Sequence, residues 1–250
     1  MTGAQIVDFY RTHAERIFPQ RTGCLTWFAD LSGPRYSRED LTASLKEVFG
    51  ARVLSDSKVR LVIPSYDRER NKIYVFKTPH LERVKTDPGR SFVDVGVATA
   101  SAPTFFPSQE LRDGTSLIDG GIWANNPVAV AVAEAIGNLG WKRESLYVLS
   151  VGSTEAVRET PRSFSRLKFS LSGSELLFCA QSSGAIGLAE TLLGSPDRIL
   201  RVQQHVAAGV FALDKAAAIN RLEGMGSSLA RDYLDTVDQM FLGSKATPYF

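Results

Sequence analysis

Apolar residues recur at helical spacing in the opening stretch. Ile6, Phe9, Tyr10, His13 and Ile17 line one face up to Pro19, and Thr2 with Gln5 three positions on forms a capping box. The chain is therefore predicted to open directly into a helix. A second helix is predicted from about Ser37, with Leu41, Leu45, Val48 and Phe49 as its apolar face and Gly50 as its stop. Two β-branched and aromatic runs, 58–64 and 72–77, flank the polar segment SYDRERN and read as two strands joined by a hairpin-length loop. From Ser91, SFVDVGVATAS is small and periodic enough for a buried helix; it ends before Pro103, and an aromatic loop over 104–107 follows.

The densest signal comes next. A short strand over 116–118 runs into Asp119-Gly120-Gly121, after which Asn126 can cap, and Pro127 can start, an Ala/Val-rich helix reaching about Ile136. An apolar strand over 145–151 follows and ends at Gly152. Strand, helix, strand at this spacing predicts a crossover unit with parallel pairing, hence an α/β layered fold. The Ser-rich stretch beyond it carries Arg158, Arg162, Arg166 and Lys168 against Glu159, and 154–181 is expected to be a mobile excursion. Helical patterns resume over 182–193 and 214–242, with a strand-like piece over 199–203 between them.

Composition narrows the picture. With 250 residues, 44% hydrophobic and 22% charged, the chain is long enough for one large domain around a sizeable core, which excludes disorder, collagen-like repeats and small disulfide scaffolds. A net charge of +2 exerts no general pull on a phosphate backbone, so nucleic acid is not expected as a partner. Cys24 and Cys179 are too far apart in sequence, and too poor in Cys or His neighbours, to suggest a disulfide framework or a zinc site; both read as buried thiols, and no metal or cofactor is implied. The N-terminus is charged and amphipathic, without the apolar stretch of a secretory signal, so a cytoplasmic location is expected, with membrane association left open. The segment 127–136 is too short to cross a bilayer and contains Glu134, so any membrane contact is expected to be peripheral.

An aspartate between a strand end and two glycines has a physical logic. The strand fixes the carboxylate, and the glycines allow backbone to approach where side chains would block it. Taken alone, Asp119-Gly120 is most often plain turn chemistry. Together, however, ATASAPTFFP (98–107), LIDGGIWANNP (117–127) and YVLSVGS (147–153) resemble the patatin-like phospholipase family, and IVDFYRTHAERIFP (6–19) is similar to the helix that follows that family's nucleophile elbow. The resemblance extends from Ile6 to about Leu242.

The resemblance implies a three-layer α/β/α sandwich with a mostly parallel central sheet, in a single domain spanning 1–250. It also implies a serine–aspartate dyad that hydrolyses phospholipid or related acyl esters without a histidine or cofactor. Asp119 matches the dyad's general base, and Gly120 and Gly121 match the turn that shapes it. His13, His80 and His205 fit no triad. The family's glycine-rich oxyanion loop and G-x-S-x-G elbow do not occur in the sequence. The nearest approach, around Ser228, lies in a helical pattern, and Ser101 and Ser153 are read as structural. The expectation is therefore an N-terminally incomplete hydrolase domain, inactive as the isolated chain. A non-catalytic lipid-binding or regulatory module, or half of a split enzyme completed by a partner chain, are the alternatives, and a homo-oligomer stays open. The basic stretch 158–178, with Phe164, Phe169 and Phe178, is read as a solvated loop before a lipid-touching one, and Phe105-Phe106 as core before an acyl pocket.

Overall fold

A computed structural model describes residues 1–20, 33–157, 166–207, 209–211 and 214–243. They form two compact units, Met1–Ala124 and a second beginning at Asn125.

In the first unit, α1 (Gly3–Ile17) opens with the expected capping box, Gln5 N–H donating to Thr2 Oγ1 at 3.3 Å and Thr2 N–H to Gln5 Oε1 at 2.7 Å. Helix α2 (Arg38–Phe49) is capped by Ser37 and stops at Gly50, whose φ of 59° suits glycine. Strands β1 (Val62–Asp67) and β2 (Lys72–Lys77) pair antiparallel, with Val62 opposite Lys77 and Asp67 opposite Lys72. The tight turn between them is held by Asp67. Burial alone would push this carboxyl up, but bonds from the Arg70 and Glu69 N–H groups and the Arg70 guanidinium outweigh it, so the group lies below its ordinary range.

Helix α3 (Phe92–Ala100) is capped by Ser91. It is followed by the short strand β3 (Gln109–Glu110), strand β4 (Ser116–Asp119) and the single turn α4 (Gly121–Ala124). The sheet order is β2-β1-β4-β3, antiparallel throughout. The 3.6-residue period gives α3 two buried faces. Val95 and Ala98 join Leu54, Phe76, Leu111 and Leu117 in one cluster, while Val93 and Val97 join Ile17, Leu41 and Phe106 in another. Phe105 packs against that second cluster, so the Phe105-Phe106 pair belongs to the core formed with α1 and α2.

In the second unit, α5 (Val128–Ala133) continues as a π-helical turn over Glu134–Asn138. Strand β5 (Val148–Val157), helix α6 (Arg166–Leu193) and strand β6 (Ile199–Ala207) then form a crossover with parallel pairing, Val148 opposite Ile199. Val128 and Val132 pack against Ala185, Ala189 and Leu193, with Val148 and Ile199 closing the cluster. Helix α7 (Ile219–Val237) follows and continues as a π-helical turn over Asp238–Leu242.

Several expectations are corrected. The crossover is β5-α6-β6, whereas β4 lies between β1 and β3; among the described residues three of four ladders are antiparallel. The expected excursion over 154–181 is largely regular structure. Its partner β6 carries β5 on to Val157 past an irregularity between Val151 and Thr154, and α6 already runs from Arg166, while 158–165 lie outside the described residues. Phe178 lies on α6, and Phe164 lies outside the described residues. Within α6, the 18 residues Leu176–Leu193 are long and apolar enough to cross a bilayer by length and composition, a stretch the sequence reading passed over; its Ala185, Ala189 and Leu193 pack against α5. Cys179 is half-buried on α6, and Cys24 lies outside the described residues.

Candidate active site

Asp119 ends β4, and three neighbours determine its geometry. Its N–H donates to Ser101 O at 3.0 Å, which ties it to the end of α3. Across the ladder it stands opposite Ser65 of β1. Its Oδ1 accepts the Gly121 N–H at 2.7 Å. Burial pushes the Asp119 carboxyl above its ordinary range, and the Gly121 bond offsets part of the rise.

The two glycines have different reasons to be there. A Cβ at Gly120 would meet backbone, Pro64 O at 2.2 Å and Pro64 C at 2.4 Å, so β1 and β4 could not keep their spacing with a side chain at that position. A Cβ at Gly121 would press on the carboxylate itself, 3.1 Å from Oδ1 and 3.3 Å from Oδ2 of Asp119. Gly120 thus lets the strands close, and Gly121 lets an N–H reach the acid.

The surrounding polar groups are used to hold this turn. Ser65 is fully buried and its hydroxyl donates to Ile118 O at 2.7 Å. Thr99 Oγ1 donates to Pro64 O at 2.7 Å, and Trp123 Nε1 donates to Ser65 O at 2.9 Å. Sequence reasoning missed Ser65, Thr99 and Trp123, because the bonds they make, to Ile118 O, Pro64 O and Ser65 O, exist only once β1 is placed beside β4 and α3.

The other candidates have different settings. Ser101 is fully buried and its hydroxyl donates to Val97 O at 2.8 Å, as a residue at a helix end. Ser153 offers its carbonyl to Gln203, and Ser228 is exposed within α7. His13 is buried beside Phe9 with Nε2 3.7 Å from Glu47, His80 Nδ1 sits 2.7 Å from Thr78 Oγ1, and His205 is exposed on β6. Among the described residues, Gly121 N–H is the hydrogen-bond partner of the Asp119 carboxylate, and no three His, Cys, Asp or Glu side chains gather to hold a metal. Asn126 was expected to cap α5, but the cap position falls to Pro127; Asn126 Oδ1 accepts the Val128 N–H at 3.3 Å just ahead of the helix, and its side-chain amide donates to Ser182 of α6.

A carboxylate fixed at a strand end, raised above its usual range and bound by the Gly121 N–H, retains lone pairs with which to take a proton. The described elements mix helices with an antiparallel and a parallel sheet, and comparison with known sequences gives the class. The family model for patatin-like phospholipases matches residues 5–132, slightly more than half of the chain, and the chain belongs to that family. Patatin-like protein 1 of Arabidopsis thaliana is 35% identical over 141 residues, covering 51% of this chain and 33% of the plant protein. The cGAMP-activated phospholipase of Vibrio cholerae is 27% identical over 197 residues, covering 74% of this chain and 52% of that protein. The enzyme of that name from Escherichia coli is 29% identical over 146 residues, covering 56% of this chain and 41% of its own length. The matches thus span about a third to a half of these relatives.

Proposed function

We propose that this chain carries the aspartate half of a serine–aspartate dyad in a lipid acyl hydrolase. The observation that carries the reading is the Asp119 carboxylate, raised by burial and held by the Gly121 N–H at the end of β4, in a chain of the patatin-like phospholipase family.

In the reaction, the serine hydroxyl attacks the ester carbonyl of a phospholipid or related acyl lipid while Asp119 accepts its proton. The proton passes to the departing alcohol as the acyl-serine forms. Water then attacks the acyl-serine, Asp119 takes the water proton, and the serine recovers it as the fatty acid leaves. A raised carboxyl pKa favours this use, because the base then holds the proton more firmly. The serine and the donors for the oxyanion lie outside these 250 residues in this reading, and the complete domain is a three-layer α/β/α sandwich with a larger, mostly parallel sheet. A cytoplasmic location with peripheral membrane contact belongs to the same reading.

A second reading, a non-catalytic lipid-binding relative or one half of a split hydrolase, is favoured by the lack of any G-x-S-x-G in the sequence. One comparison separates them: turnover of a short-chain acyl ester and of phosphatidylglycerol vesicles by the 250-residue chain, and by the same chain extended through any in-frame upstream sequence that encodes an elbow. Turnover confined to the extended protein supports the dyad. Turnover by neither supports the second reading.

A further inference from the structure

We propose that Trp123 is a positioning residue for Asp119, pinning the Gly120–Ala124 turn to β1 so that the Gly121 N–H stays on the carboxylate. This deepens the dyad reading and rests on it. The single turn α4 has four residues, Gly121–Ala124, too few to be stable alone; Trp123 N–H and Ala124 N–H tie it back to Gly120 O, at 3.2 and 2.9 Å. Something outside the turn must hold its far end.

The indole does so. Trp123 Nε1 donates to Ser65 O at 2.9 Å, while the hydroxyl of the same Ser65 donates to Ile118 O at 2.7 Å. Ser65 therefore grips the chain one residue before Asp119 and four residues after it. The neighbouring β1 carbonyl, Pro64 O, accepts from Thr99 and lies against Gly120. With both sides of the turn fastened to β1, the Gly121 N–H has no freedom to swing away from Oδ1. Loss of the indole N–H frees the far end, and the carboxylate loses the bond that offsets its burial.

The test uses Trp123→Phe and, in parallel, β-(3-benzothienyl)alanine at position 123, which replaces the N–H by sulfur and keeps the shape of the ring. The Gly121 amide resonance of the 250-residue chain is followed through the titration of Asp119. In the wild type Gly121 reports the titration. In both variants its response is expected to be lost and the Asp119 midpoint to move up, with the far-ultraviolet circular dichroism unchanged. Wild-type Gly121 curves in the variants would overturn the proposal; should Trp123→Phe fail to fold, the sulfur analogue decides alone. In the serine-bearing extended enzyme the expected change is a fall of about tenfold in kcat at unchanged KM. Asp119→Asn in that enzyme tests the base itself, so a failure of the dyad reading is distinguishable from a failure of the tether.

Discussion

Ser65 and Asp119 stand opposite each other across the β1–β4 ladder, and Ser65 bonds to the chain on both sides of the aspartate, through Ile118 O and Trp123 Nε1. The acid thus sits at a sheet position fastened by backbone, by a buried hydroxyl and by an indole. Such support is what a general base requires, because proton transfer depends on fixed geometry more than on basicity alone.

Asp119 should cost the fold stability at neutral pH. Its folded carboxyl binds a proton more tightly than the unfolded chain's, whose midpoint is about 3.9. Stability therefore declines as pH rises from the unfolded midpoint through the folded one and stays reduced above it. Asp119→Asn is expected to be more stable than wild type at pH 7.5, with the gap closing in acid. Urea unfolding at pH 7.5 and in acid below the unfolded midpoint checks this, and a gap that widens in acid would contradict it.

Gly120→Ala should be severely destabilising. The new methyl would lie on the Pro64 carbonyl, and the backbone there cannot move without parting β1 from β4. A loss of about 3 kcal/mol is expected from overpacking of this kind, read from the denaturant midpoint.

Leu117→Ala acts on the same strand, two residues before the aspartate. Leu117 is fully buried with Phe76, Leu54 and Val95, so truncation leaves a cavity in that core. Equilibrium unfolding should show a loss of about 2–5 kcal/mol.

Tyr74 tests the first unit away from the site. Its hydroxyl donates to Asp87 at 2.8 Å, and Asp87 also accepts the Lys77 N–H at 3.1 Å. Burial, reinforced by Asp87, pushes the phenol well above its ordinary range. Tyr74→Phe leaves the buried carboxylate short of a donor, at a cost of about 1–2 kcal/mol. An absorbance titration should show the phenolate signal unchanged by the substitution up to about pH 11.

Local chemistry made much of this legible. The capping box at Thr2 and Gln5, the Ser37 and Ser91 caps and the Gly50 stop all lie within a few residues of what they control. Strand pairing does not. Nothing near Asp119 in sequence says that β4 inserts between β1 and β3, because that register is set by residues some fifty positions away. Ser-rich composition likewise gave no sign of the regular structure at 154–157 and 166–181, where pairing with β6 extends β5 and the long helix α6 overrides weak local propensity. The aspartate was visible from its two glycines, whereas its supports Ser65, Thr99 and Trp123 were not, since each reaches it through the fold.

The central claim is that Asp119 takes the serine proton. The direct measurement is kcat for phospholipid hydrolysis by the serine-bearing extended enzyme with and without Asp119→Asn, whose amide keeps the shape but cannot act as the base. The dyad predicts a fall of at least about 100-fold with the fold intact. Turnover within a few-fold of wild type would contradict it.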